Sequence, residues 1–226
     1  MAKGKKGGRN FRNVYGKTMV TPVGRLVFPR VARPEPFTDG AEEKFSASVV
    51  CKPSDRLNEL LSEIQRIKAL SFGDAEVSMP TMTGEEVLEL SEKASEALYA
   101  GKYRVSAKSA GDKEPPKCYL ADRALMPRRP GNENDVQDID RQFYAGAWVR
   151  LCVTPFTYHV GASKGVSLIL RGIQFIKDGD KLGQADIDAE FAANEAEEGY
   201  EWEDEVGDTF CDDYESGEVA DEPINA

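Results

Sequence analysis

Residues 143–183 read FYAGAWVRLCVTPFTYHVGASKGVSLILRGIQFIKDGDKLG, and this stretch decides the fold. It reads as two long strands joined by a flexible loop. Side chains alternate along a strand, so Val149, Leu151 and Val153 point one way while Tyr144, Trp148, Arg150, Cys152 and Thr154 point the other. One face can enter a core, and the other offers aromatic rings and a guanidinium. The loop at 158–165 holds two glycines, with Lys164 near its tip. The second strand, 166–176, is apolar at nearly every position, as a strand buried on both sides should be. Asp178-Gly179-Asp180 ends it with turn chemistry.

Working outward, 226 residues suit one domain, or one domain plus a tail, and 40% hydrophobic content supplies a core. No stretch approaches the roughly 18 apolar residues of a membrane span, and the basic N-terminus lacks the apolar run of a secretory signal. Cys51, Cys118, Cys152 and Cys211 are scattered without a C-x-x-C pair. Buried thiols in a reducing cytoplasm are the expectation.

The net charge of −11 is unevenly divided. Residues 183–226 hold seventeen Asp and Glu and no Lys or Arg; the other 23 acids share residues 1–182 with all 29 basic residues, leaving that body at +6. An acidic tail on a basic binding body is the physical reading, so a pI of 4.8 does not exclude a nucleic-acid partner.

Residues 1–13, rich in Gly and Lys, read as a flexible basic arm that either solubilises the chain or touches phosphates. The run 17–31 reads as a strand pair or one bent strand, with Pro22 and Gly24 at the bend, followed by a loop over 32–41. Residues 43–52 alternate as a strand, with Phe45, Ala47 and Val49 inward. Ser54 caps a helix whose Leu57, Leu60, Leu61, Ile64 and Ile67 repeat at three and four, a face that packs on the core. A loop over 71–84 precedes a second helix, 85–100, carrying Val87, Leu88, Leu90, Ala94 and Leu98. In the strand 102–108, Tyr103, Val105 and Ala107 go in while Lys102, Arg104 and Lys108 go out. Three cations on one strand face repel unless a polyanion neutralises them. At 117–120 the pattern repeats, with Lys117 and Tyr119 outward. Residues 126–142 read as a long polar loop.

Tyr144-Ala145-Gly146, the β-rich run, Lys164-Gly165-Val166, Ile173 through Gly179 and Leu182-Gly183 together resemble the signature block of a phage family, the single-stranded DNA-binding proteins of the Enc34 type, which have an OB-fold core. Upstream, 24–29, 44–50 and 101–108 fall in the order that family shows, so the match spans roughly residues 15–183. The resemblance implies a mainly β (α+β) fold: a five-stranded OB barrel with one or two packed helices and a disordered acidic C-terminal tail. A long bent first strand suits that barrel. The domains are then a basic arm (1–13), the OB domain (14–183) and the tail (184–226). The resemblance also implies a DNA groove across the barrel, a monomer or homodimer, and the host bacterial cytoplasm.

Unpaired DNA presents phosphates and unstacked bases, and holding it without regard to sequence needs cations and rings. Lys102, Arg104, Lys108, Lys117, Arg150 and Lys164 are the candidate cations. Tyr119, Tyr144, Trp148, Phe156 and Tyr158 are the candidate rings, with core as the competing reading for Tyr144 and Trp148. Tethered beside a cationic groove, the tail would compete with DNA at high local concentration. Once displaced, it would offer Trp202, Phe210 and Tyr214 to phage replication proteins. No catalytic, metal or cofactor signature is visible: His159 is the sole histidine, and no zinc spacing, Walker loop or nucleophile elbow occurs. The chain therefore reads as non-enzymatic and free of cofactors, and the resemblance implies a role in phage replication or recombination. The competing reading is an interaction module whose acidic tail mimics DNA and sequesters a host nucleic-acid-binding protein.

Overall fold

The computed structural model of the protein describes residues 12–36, 40–110 and 114–182. The expectations for residues 1–11, for Trp202, Phe210 and Tyr214, and for the acidic tail lie outside those residues. In chain order the strands are β1 (Met19–Val20), β2 (Gly24–Glu35), β3 (Lys44–Cys51), β4 (Thr81–Thr83), β5 (Tyr103–Ala110), β6 (Lys117–Tyr119), β7 (Trp148–Val160) and β8 (Ser163–Lys177). The helices are α1 (Asp55–Phe72), α2 (Gly84–Leu90), α3 (Glu96–Tyr99) and α4 (Glu133–Gln142).

Five strands close into a ring in the order β2, β3, β5, β8, β7 and back to β2. All its pairings are antiparallel except β5 with β8, which is parallel. This is the five-stranded Greek-key OB barrel. β7 and β8 form its backbone, registered from Trp148↔Lys177 to Val160↔Ser163. The flexible loop expected at 158–165 is instead almost all strand. Gly161, at φ 59, supplies the positive φ a two-residue hairpin turn needs, and the strands run to either side of it. β8 is fully closed over on its barrel side, where Val166, Leu168, Leu170 and Ile173 are buried; its other side is covered only in part, with Ser167 buried and Arg171 exposed.

Leu26, Val31, Val49, Val105, Leu151 and Leu168 fill the barrel, joined by Leu57, Leu60, Ile64 and Ile67 of α1. Each such side chain contributes about 1.5–3 kcal/mol on burial. The Ser54 hydroxyl caps α1 by accepting the Leu57 N–H at 3.3 Å. A second, smaller cluster of Val27, Val50, Val87 and Tyr99 lies where α2 and α3 pack.

Four further expectations need correction. The segment 71–84 is not all loop, because it holds β4, which pairs with β5. The segment 126–142 contains α4: Asn132 caps it, Glu133 and Asp135 favour its first turn, and Ile139 and Phe143 are buried four residues apart. The single helix over 85–100 is two short helices broken after Leu90, where Ser91 is extended, and Leu90 is 74% exposed rather than core. Residues 32–35 extend β2 instead of opening a loop, because Arg30, Glu35 and their neighbours pair with β3.

The chain before β1 runs along β7: Thr157 N–H donates to the Val14 carbonyl at 2.9 Å and Gly16 N–H to the Pro155 carbonyl at 2.8 Å. Glu63 of α1 holds the same segment, its Oε1 accepting the Lys17 N–H at 2.8 Å.

Candidate nucleic-acid interface

Alternation along β7 sends Trp148, Arg150, Cys152, Thr154, Phe156 and Tyr158 to the outside of the barrel, because Val149, Leu151 and Val153 are fully buried inside it. Register then sets their neighbours. Phe156 lies opposite Ser167, Tyr158 opposite Gly165, and Thr154 opposite Ile169, which in turn pairs with Lys108 of β5. On the far edge of β8, Lys117 lies beside Gly172 and Tyr119 beside Gln174.

Three rings form a ladder at one end of this face. Tyr15 stacks on Phe156 with centroids 5.9 Å apart and planes 18° from parallel, and Phe156 meets Tyr158 at 6.4 Å. The N-terminal segment brings Tyr15 there through its bridge to Phe156, leaving the Tyr15 side 58% exposed. Beside the ladder opens a cleft of about 740 Å³, lined by Phe156, Lys44, Lys108, Lys117, Arg171 and one carboxylate, Glu114. Arg171 reaches it through a bulge: Val153 pairs with Leu170 and Cys152 with Gly172, so Arg171 is the extra residue. A bulge re-aims a side chain, and here the Arg171 Nε lies 3.3 Å from the Thr154 hydroxyl.

The cleft concentrates positive charge at a cost. Partial burial first, and the charge of Lys44 second, hold the Lys108 ammonium below the ordinary lysine range. Lys44 itself pairs with Glu42 at 2.8 Å. Among the described residues, no carboxylate comes within ion-pair distance of Lys108, Lys117 or Arg171. Lys164 is exposed at the hairpin tip, one residue from the Gly165 that pairs with Tyr158.

The structure thus brings Lys108, Lys117 and Phe156 together around one cleft, with Tyr158 beside it through its contact with Phe156, Lys164 near Tyr158 on the hairpin, and Tyr119 and Arg150 further along the same face. It places four other candidates elsewhere. Lys102 donates to the Ala97 and Leu98 carbonyls, both at 2.8 Å, closing the end of α3. Arg104 lies against Met82 of β4, its Nε buried without a hydrogen-bond partner among the described residues. Trp148 carries Arg25 and Lys177 over its ring, at 5.4 and 5.3 Å. The Tyr144 hydroxyl accepts the Gly179 N–H at 3.0 Å and lies 3.0 Å from both the Asp178 carboxylate and the Gly179 carbonyl, tying down the turn after β8.

Sequence reasoning missed Tyr15, Lys44 and Arg171. Arg171 had a signal: it is the one charge inside the apolar run VSLILRGIQFI. Lys44 had a weaker one, its place on the outward face of the strand 43–52, and Tyr15 had none beyond residue type, since its value comes from what lies across the sheet.

Known proteins share this architecture. The solved structure of the single-stranded DNA-binding protein from bacteriophage Enc34, as a C-terminal truncation, superposes with a TM-score of 0.56 at 17% identity, covering 72% of this chain and 87% of that one. The same phage protein in complex with ssDNA gives 0.55 at 18% identity, covering 80% and 97%. Gp2.5, a single-stranded DNA-binding protein encoded by bacteriophage T7, gives 0.52 at 12%, covering 77% and 94%. At these identities the likeness is one of fold. No curated protein matches the chain at a significant level. The sequence itself matches the family described as "Enterobacter phage Enc34, ssDNA-binding protein" over residues 17–202, most of its length, and the chain belongs to that family.

Proposed function

We propose that this protein binds single-stranded DNA without sequence preference and protects it during phage replication and recombination in the host cytoplasm. The observation that carries the reading is the meeting of the Tyr15–Phe156–Tyr158 ladder with the Lys44, Lys108, Lys117 and Arg171 cleft on one side of an OB barrel. Rings take bases and cations take phosphates. The Enc34 relative solved with ssDNA supports the same ligand class. The work is binding, with no bond made or broken. Residues 184–226, with their excess of acids, compete with DNA for these cations and, once displaced, recruit replication proteins through Trp202, Phe210 and Tyr214.

The test is anisotropy of a labelled oligothymidine across a salt series. Four phosphate contacts predict a log–log slope of about −3, at about 0.7 per contact on single strands. Phe156→Ala combined with Arg171→Ala should weaken binding. Salt-independent binding, or an unchanged double variant, would sink the assignment.

A further inference from the structure

Resting on that reading, we propose a second station for the same strand: an arginine pocket next to the cleft that takes another stretch of single-stranded DNA and lengthens the footprint. The pocket, of about 600 Å³, opens on the outer face of β7 and β8 between β6, β1 and the start of α1. Arg56, Arg123 and Arg150 line it, with Tyr119 as its ring and Cys152 on the apolar floor. Glu59 is its one carboxylate.

Two of these groups are held in position from behind. Gln174 accepts the Arg150 Nε–H at 2.9 Å while its own amide donates to the Leu120 and Ala121 carbonyls at 3.2 Å. Arg150 is therefore fixed through Nε, and its terminal amino groups remain for an anion. Arg123 stands in the left-handed region at φ 71, its N–H donating to the Leu120 carbonyl at 3.0 Å. That conformation costs energy for a residue with a Cβ, and the turn it makes carries the guanidinium into the pocket lining. Among the described residues none of the three arginines has a carboxylate at ion-pair distance.

The occupant follows from continuity. Arg171 lines the cleft and the next residue, Gly172, lines the arginine pocket. Gly172 sits between Lys117 on one side and Cys152 on the other. A Cβ on it would come 2.8 Å from the Lys117 carbonyl, so the strands approach closely there and no side chain stands between the two pockets. From Phe156 to Arg150 is six residues of β7, about 20 Å of extended chain at about 3.3 Å per residue. A flexible polyanion with aromatic bases, entering at the ladder, meets cations and then Tyr119 along that line. Pocket and cleft together present seven cations to it.

The experiment compares oligothymidines of about four and about sixteen nucleotides, the range of OB-fold site sizes, on the full chain and on an Arg56→Gln/Arg123→Asn variant. Asn tolerates the left-handed turn, and both positions are exposed, so thermal unfolding should match the wild type. The expected result is unchanged binding of the short oligomer and weaker binding of the long one. The salt slope for the long oligomer should be about 1.4 shallower, at about 0.7 per lost contact. Equal binding of both lengths by variant and wild type overturns the second station, and so does equal weakening of both lengths. If the variant unfolds, Arg56→Gln and Arg123→Asn singly carry the same length comparison, each with a slope for the long oligomer about 0.7 shallower. Failure of the wild type to bind either oligomer would instead remove the parent reading, a distinguishable outcome.

Discussion

The ring of Tyr15 lies on the ring of Phe156, 5.9 Å between centroids and 18° from parallel, although 141 positions separate the two residues in the chain. The contact makes one exposed aromatic platform out of two segments. Each base stacked on an aromatic ring is worth about 1–3 kcal/mol. Phe156→Ala should therefore weaken oligothymidine binding by that amount. Tyr15→Ala should weaken it comparably, and the double variant by less than the sum, because each ring supports the other. Additive losses in a titration series would show that the rings act separately.

Lys108 gives the interface a pH dependence. Burial, then Lys44, keep its ammonium below the ordinary value of 10.5 in the free protein. A bound phosphate favours the charged form, so binding takes up a proton wherever Lys108 is neutral. Affinity should be flat at low pH and fall as pH rises through the depressed value, below the range of ordinary lysines. Lys108→Met should remove that decline while lowering affinity throughout; an identical profile in the variant would refute the role. For folding alone the sign is opposite: the unfolded chain holds this proton more tightly, so stability rises through the same interval.

Glu63 couples acid stability to the aromatic platform. The Arg66 hydrogen bond first, with the Lys17 N–H and the nearby positive charges adding to it against the opposing push of burial, hold its carboxyl at about 2. A depressed folded value means stability present above the ordinary value of 4.5 and lost as pH falls toward about 2. Glu63→Ala should cost about 1.5–3 kcal/mol at neutral pH, as for hydrogen bonds to charged groups, and should flatten the acid side of the stability curve. Because Glu63 secures the segment that carries Tyr15, DNA affinity should fall with it. Urea unfolding across pH measures the first effect, and a titration the second.

Phe28 sits at φ 49 in a bulge of β2, 66% exposed and followed by Pro29. A residue with a side chain loses about 1–2 kcal/mol in that region, whereas glycine loses about 0.5–1 kcal/mol of chain entropy. Phe28→Gly should raise stability slightly, by about 0.5 kcal/mol, in chemical denaturation. A loss above about 1 kcal/mol would mean that the ring packs more than its exposure suggests.

Removing residues 184–226 deletes seventeen acids and no Lys or Arg. If those acids compete with DNA, the truncated chain should bind oligothymidine more tightly, and the gain should shrink as salt screens it. Equal affinity at low salt would exclude competition.

The sequence alone determined the long β7–β8 pair and the α1 cap and stripe, because periodicity and capping act between near neighbours; the five-stranded barrel was legible only through the family resemblance, since its closure rests on pairings between distant strands. It also marked Lys102, Arg104 and Lys108 as one outward row of β5. Alternation assigns a face but does not say what covers that face. Here α3 takes Lys102 and β4 takes Arg104, while Lys108 is left to line the cleft. The same limit hid the other relocations: Trp148 lies under cations from β2 and β8, and Tyr144 closes a turn 34 residues away. Arg171 needed the bulge, and Tyr15 needed its strand partner. Which outward residues form the site was decided by tertiary packing, because it depends on side chains from distant segments meeting across a closed sheet.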